Sequence, residues 1–589
     1  VQTSLAPEKR GPMALGKLLE KYPFPNILII ITDQERALGE WPKAYRATLG
    51  KQLKAMTALK RHGLSFEHAY TASCMCSASR ATFQTSQYPI VTGCTTTGVS
   101  VLPTPDLFPN IASIVAAANA NYGCYWIGKW HLFGMDEPGG QAAALTPWGY
   151  SVYTTLGGQT LAWDFPDAGI NLSDTYLGGG TQGPTPTNQN DQRYVSDAVS
   201  FLESMENATD PWCLVVSLVN PHDVHIGFMA PGDQPLDAVY YNSDCWSGGT
   251  APVPDDSIQS PTTMPRGQAF YSWATRASQN ANKNDFVNFY AYLTTYVDGQ
   301  VGTILSAMTD QQKEQTLIIR FSDHGEMGLA HGLIEKFVNA YGQCTHVPLV
   351  FSNKLAWPEA RTTHQIASLA DLAPTLANIL GVTEFNGRFV GTNLYDVLLD
   401  SPNRGSLQTF VHFTYDDMAG NGGPSIIRTI RSTDWVYSVY LDSVCSASAG
   451  YSDADWEMYD LQNDPTEINN LAGQGLAEQT TLDQELQAQM VAKGTAPAWY
   501  PAHWPPQATA NSRGGPPPGG GTVVPTIAGL PGITAQQVDD LRYVGVRTVA
   551  ELLKRGAAAE GRKSLASLVP VDEALLDRWL AAVRPTPPG

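Results

Sequence analysis

Asn26-Ile27-Leu28-Ile29-Ile30-Ile31-Thr32, followed at once by Asp33-Gln34, is aliphatic and β-branched with no polar alternation. Such a strand is buried on both faces of a sheet, because a solvated face would demand a polar residue at every second position. Two further runs read the same way. Trp212-Cys213-Leu214-Val215-Val216-Ser217-Leu218 leads into Asn220-Pro221-His222, and Thr316-Leu317-Ile318-Ile319-Arg320-Phe321-Ser322 leads into Asp323-His324-Gly325. Each run delivers Asp or His at its carboxyl end, where open α/β sheets bind ligands.

Working outward, residues 22–390 alternate strands with helical segments, which predicts an α/β sheet covered by helices. Tyr290, Leu293, Val297, Val301 and Leu305 fall on one face of a helix over Tyr290–Met308, and helical pattern also covers Ile366–Leu380, stopped by Gly381. Beyond residue 405, short alternating segments such as Ser425–Arg431 and Trp435–Leu441 predict a smaller antiparallel sheet. The expected division is a catalytic α/β domain at 1–400, a smaller subdomain at 401–493, a Pro/Gly-rich linker at 494–525 and a helical tail at 526–589. The tail reads as helix-hairpin-helix-like around Val544-Gly545-Val546. Its mixed charge favours protein contact, and a homo-oligomer is expected.

The whole chain has 589 residues, a net charge of −19 and 43% hydrophobic residues, which excludes wholesale disorder. So acidic a surface repels a phosphate backbone and an anionic bilayer, so neither nucleic acid nor membrane is expected as a partner. The longest aliphatic run, Ile27–Ile31, falls far short of the ~20 apolar residues of a spanning helix. Eight cysteines are too sparse for a disulfide framework. With no apolar leader in Val1–Met13, a bacterial cytoplasm is favoured, or the periplasm if a leader was removed.

Cys76-Ser77-Ala78-Ser79-Arg80-Ala81-Thr82-Phe83-Gln84-Thr85 carries the chemistry. Cys76 lies among small polar residues four before an Arg, as though opening a helix whose N-terminus favours an anion. The segment resembles the signature of the formylglycine-dependent sulfatases of the alkaline phosphatase superfamily, Cys-x-(Pro/Ala)-Ser-Arg. Further segments match that family in order: Thr32-Asp33-Gln34, Gly128-Lys129-Trp130-His131, Asn220-Pro221-His222, Ser322-Asp323-His324-Gly325-Glu326, Lys336, Asp371-Leu372-Ala373-Pro374 and Tyr459-Asp460-Leu461 through Glu467. The resemblance implies an alkaline-phosphatase-like fold, with a large mixed sheet between helices followed by a smaller antiparallel sheet.

It also implies sulfate-ester hydrolysis. Asp33, Gln34, Asp323, His324 and the group at Cys76 would hold one divalent metal ion. Gln34 and His324, where the family commonly has Asp and often Asn, shift the expectation from Ca2+ towards Mn2+. A formylglycine-generating maturation enzyme would oxidise Cys76, whose hydrate attacks sulfur with Asp323 accepting the proton. His222 or Lys336 would protonate the departing alcohol and His131 would deprotonate the second hydroxyl, while Arg80, Lys129 and Lys336 supply positive charge. Ala78 replaces the commoner Pro and Ser86 the usual Gly. Within the superfamily the pattern resembles the branch of arylsulfatases, choline sulfatases and phosphonate monoester hydrolases. Keeping Lys129 and His131 favours sulfate over phosphonate, and Tyr125, Trp126 and Trp130 are candidates for lining an aryl pocket. An arylsulfatase with secondary phosphodiester or phosphonate activity is expected; the alternatives are a choline sulfatase, a phosphonate monoester hydrolase or, should Cys76 stay a thiol, a binding scaffold.

Overall fold

The structure, a computed structural model, describes residues 14–97, 102–132, 145–152, 190–225, 250–258, 264–269, 271–272, 283–400, 406–417, 424–441, 454–497, 500, 504–505, and in the tail 530, 533, 537, 541, 552, 562–563 and 573–583. The chain is a mixed α/β protein. Among the described residues its large sheet has eight strands: β1 (Asn26–Asp33), β2 (Gly63–Tyr70), β3 (Gly123–Gly128), β4 (Ser151–Val152), β5 (Trp212–Pro221), β6 (Thr316–Ser322), β7 (Leu349–Ser352) and β8 (Arg361–Ser368). Their order is β4-β3-β5-β1-β6-β7-β2-β8, and only β7 runs antiparallel to its neighbours.

The unalternating run of β1 has a simple cause. Ile27, Ile29 and Ile31 enter one apolar layer, with Ala81 and Phe83 and with Leu372 and Leu376. Leu28 and Ile30 enter the opposite layer, against Tyr194 and Phe201 and the helix side chains Tyr290, Leu293, Val297 and Val301. Each buried aliphatic side chain contributes about 1.5–3 kcal/mol, so packing from both sides fixes where the polar end of the strand must lie. The long helix expected at Tyr290–Met308 spans Lys283–Ala307.

One boundary differs from expectation. Ile366–Ser368 belong to β8 rather than to a helix, and the helix runs only over Leu372–Ile379. Ser368 stops the strand: its hydroxyl accepts from the amide of Ala370 at 3.2 Å, while its own amide donates to Asp371 at 2.8 Å. That capping box starts a helical turn three residues late.

The smaller sheet is antiparallel, ordered β12-β11-β10-β9, from β9 (Val411–Tyr415), β10 (Ile426–Arg431), β11 (Trp435–Leu441) and β12 (Asp455–Asp460). One face packs on Leu482, Leu486 and Met490 of the helix Ala477–Ala492. The other packs Phe413, Tyr415, Ile427 and Tyr459 against Met75 and Ala78. The second sheet therefore backs the Cys76 segment. Of the tail, the helix Glu573–Val583 and isolated positions are described, whereas residues 506–529 and the turn at Val544-Gly545-Val546 lie outside the described residues. Among the described residues no helix is long and apolar enough to cross a membrane. Six cysteines are described, all buried and none in a disulfide.

Candidate active site

The carboxyl ends of β1, β5, β6 and β3 lie side by side, with Asp33 opposite Pro221, Thr32 opposite Ser322, and Gly128 opposite Ser217. Polar residues following four hydrophobic strands are thus gathered in one place. Cys76 is the first residue of a helix, α1 (Cys76–Thr85), every residue of which is buried. Helical spacing puts Cys76, Ser79 and Arg80 on one side. Ser79 donates to the Asp323 carbonyl at 2.6 Å and Ser77 to the His131 carbonyl at 2.7 Å, so the helix is bolted to the ends of β6 and the β3 loop.

Arg80 organises the carboxylates. Its Nη2 lies 2.9 Å from Asp33 and 3.0 Å from Asp323, and its Nη1 donates to the Lys129 carbonyl at 2.8 Å and to Ser217 at 3.0 Å. Lys129 Nζ sits 2.5 Å from Asp33. Lys129 is placed by Gly128, which has a φ of 97°; a Cβ there would meet the Ser217 carbonyl at 2.0 Å. His324 Nε2 is 3.0 Å from Cys76 Sγ and 3.7 Å from each aspartate. One ligand atom each from Asp33, Cys76, Asp323 and His324 falls within 4.8 Å of all the others.

Beside this cluster lies a second group. Gln34 Oε1 accepts from Lys336 Nζ at 2.6 Å, and the Gln34 amide donates to Glu326 at 2.5 Å and Glu335 at 3.2 Å. Lys336 also donates to Glu335 at 2.8 Å. Gln34 and His131 both hold left-handed backbone, with φ of 66° and 57°. Such strain at a non-glycine residue persists where the surroundings dictate it.

The electrostatics follow from burial and neighbours. Burial alone would push the Asp33 carboxyl up, but Lys129, His222, His324 and Arg80 together hold it well below the usual carboxylate range. Asp323 is pushed up by burial and by the Asp33 charge. The same two causes push the Cys76 thiol up, against Lys129, Lys336 and a hydrogen bond with His131. Burial works against the Lys336 ammonium, yet Glu335, Cys76 and Asp33 hold it well above its ordinary value. A carboxylate pair held by Arg80 and Lys129 beside a helix N-terminus suits an oxyanion ester with a metal ion.

Comparison with known proteins agrees. Residues 25–382, more than half of the chain, match the family described as Sulfatase. The protein belongs to the sulfatase family. It is 26% identical over 472 residues to the uncharacterized sulfatase YidJ of Escherichia coli (strain K12), covering 76% of this chain and 83% of that protein. It is also 26% identical over 483 residues to the choline-sulfatase of Rhizobium meliloti (strain 1021), covering 78% and 85%. Among solved structures, a 2-O GAG sulfatase superposes with a TM-score of 0.62 at 19% identity, covering 83% of this chain and 96% of that one. The phosphonate monoester hydrolase of Agrobacterium radiobacter does so with 0.57 at 19%, covering 80% and 95%. These two likenesses bear on the fold.

With the sulfatase fold in hand, some expectations need correcting. Trp126 and Trp130 pack as core residues: both are fully buried, edge to face at 4.9 Å, with Tyr150 at 5.3 and 5.7 Å. Tyr125 packs on Phe201 at 4.9 Å. These rings prop the Lys129 loop from behind. Glu326, Glu335, Ser79 and Ser217 escaped the reading of site residues, although Glu326 stands inside a quoted motif and Glu335 precedes Lys336.

His331 stacks flat on Tyr341, with ring centroids 3.7 Å apart and planes 4° apart. Burial lowers its pKa to about 3. A histidine that cannot charge when folded binds fewer protons than the unfolded chain between that value and its free pKa of about 6.5. Stability must then fall as pH drops through that window, by on the order of a few kcal/mol. His331→Phe, which keeps the stack, should flatten the acid limb of a urea-unfolding series; an unchanged slope would remove His331 from that account.

Proposed function

We propose that this sulfatase hydrolyses sulfate monoesters, aryl sulfates first among them, using a formylglycine made from Cys76 by a maturation enzyme. The observation that carries the reading is the convergence of Asp33, Cys76, Asp323 and His324 within 4.8 Å beneath Arg80 and Lys129. As a thiol, Cys76 is protonated by its surroundings and a poor nucleophile. That favours its conversion over a direct thiol mechanism.

The donor set fits a divalent ion: two carboxylates and an imidazole within bonding reach of one point, with Gln34 Oε1 as a further oxygen already shared with Lys336. The mixed nitrogen and oxygen set suits Mn2+ better than Ca2+. When bound, the metal supplies Lewis-acid polarisation of an oxygen. A hydrated formylglycine at position 76 would supply the hydroxyl nucleophile.

The chain's own residues do the rest. Arg80 spends its Nη groups on Asp33, Asp323, Lys129 and Ser217, so it spaces the two carboxylates. Lys129 and Lys336 offer charge to the sulfate oxygens. Asp323, whose carboxyl is raised, accepts a proton more readily than Asp33. His222 or Lys336 would pass a proton to the departing alcohol, and His131, hydrogen-bonded to Cys76, would take one up.

Two measurements test this. Mass spectrometry of the peptide containing Cys76 should show a loss of about 18 Da. A panel of aryl sulfate, choline sulfate, phenyl phosphate and phenyl phosphonate should then rank aryl sulfate first by kcat/KM, by about tenfold or more over the phosphonate. Choline sulfate leading the panel would move the assignment to that branch, and a leading phosphonate would overturn the preference read from Lys129 and His131.

A further inference from the structure

A second cluster of ligating side chains lies on the other half of the sheet. β2 and β8 pair in parallel from Leu64 opposite Arg361 to Phe66 opposite Thr363, and resume with His68 opposite Ile366. Between those points one residue of β2, Glu67, faces two of β8, His364 and Gln365. A bulge of this kind re-aims side chains. Here it brings His364 of the edge strand against both Glu67 and His68 of its neighbour. His364 Nδ1 lies 2.6 Å from Glu67 Oε2, and the His68 and His364 rings lie 6.4 Å apart between centroids.

We propose that Glu67, His68 and His364 form a second divalent-metal site, of the borderline class typified by Zn2+, which shares no residue with the reaction centre. One ligand atom from each lies within 4.8 Å of the other two. Tetrahedral zinc with bonds of about 2.0–2.1 Å needs its ligand atoms about 3.3–3.5 Å apart. Reaching that spacing means opening the 2.6 Å contact of His364 with Glu67 and closing the longer separations, which their side chains, 80% and 51% exposed, have the freedom to do. Two imidazoles and one carboxylate are a recurring zinc donor set, and hard-oxygen ions such as Ca2+ and Mg2+ would be poorly served by it.

Among the described residues the His68 ring makes no hydrogen bond that would have to be given up. A cavity of 390 Å³ opens beside Glu67 and His68, leaving room for water at a fourth position. An ion here would pin the edge strand β8 to β2, and β2 is the strand whose continuation carries Cys76.

The experiment is equilibrium dialysis of the full chain against Zn2+, for the wild type, His364→Ala and Glu67→Ala. Circular dichroism and thermal midpoints in EDTA serve as the check on folding. Each variant should retain one zinc equivalent fewer than the wild type, lose the visible absorption of tetrahedral Co2+ at that site, and keep the wild-type rate of ester hydrolysis in saturating Mn2+. Equal zinc content in all three proteins overturns the proposal. So does a lost equivalent that takes hydrolysis with it, because the ion would then belong to the Cys76 centre. If one variant fails to fold in EDTA, the other decides.

Discussion

Arg80→Lys should lower kcat/KM for a sulfate ester by about 10³-fold, although the positive charge is retained. The guanidinium makes contacts in four directions: one nitrogen bridges Asp33 and Asp323, and another joins the Lys129 carbonyl to Ser217. An ammonium has three donors in a different geometry on a shorter reach, so at least one carboxylate or the Lys129 loop must be released. Misplacement of reacting groups by about 1 Å can cost a factor of about 10² by itself. Arg80→Met goes further and leaves two buried carboxylates facing each other. Losing one partner of a buried ion pair costs about 3–5 kcal/mol. The metal-free variant should accordingly unfold at lower urea, and excess Mn2+, which neutralises the same carboxylates, should recover part of that loss. Arg80→Lys retaining activity within a few-fold of wild type would show that the carboxylates are spaced by the strands alone.

How much of this could be read beforehand follows from the physics of each signal. Strand β1 was legible because an aliphatic run without alternation has few other uses, and the two layers that receive Ile27, Ile29, Ile31 and Leu28, Ile30 explain it. Asp33, Asp323 and His222 were legible because strand ends in open sheets gather at one edge. The extent of β8 was not, since Ile366–Leu380 has helical spacing and only the Ser368 capping box shows where the strand ends. The tryptophans near Lys129 were equally ambiguous, because an aromatic beside a site can face the ligand or support the loop, and periodicity does not tell the two apart. The cluster of Glu67, His68 and His364 was invisible for a different reason. It depends on a bulge between strands almost three hundred residues apart in sequence, and pairing of that range leaves no local pattern.

Gln34 has partners in the structure that its reading as a metal ligand did not include. Read alone, it is an aspartate lost from a metal site. In the structure its amide donates to Glu326 and Glu335, two buried carboxylates, and its oxygen accepts from Lys336, which also donates to Glu335. Burial and the charge of Glu335 raise the Glu326 pKa to about 7. An ionised acid at position 34 could donate to neither, and would add a third negative charge around Lys336. Gln34→Glu, identical in shape, should therefore destabilise the protein by about 3–5 kcal/mol at pH 8. The sign of its pH dependence is fixed. A carboxyl forced among carboxylates has its folded pKa raised above the unfolded value, so the folded variant binds more protons in that interval and the deficit shrinks as pH falls. Urea titrations of wild type and variant from pH 8 to pH 5 should converge. A gap that stays constant or widens towards acid would mean that Gln34 acts through the metal and not through the donors of its amide.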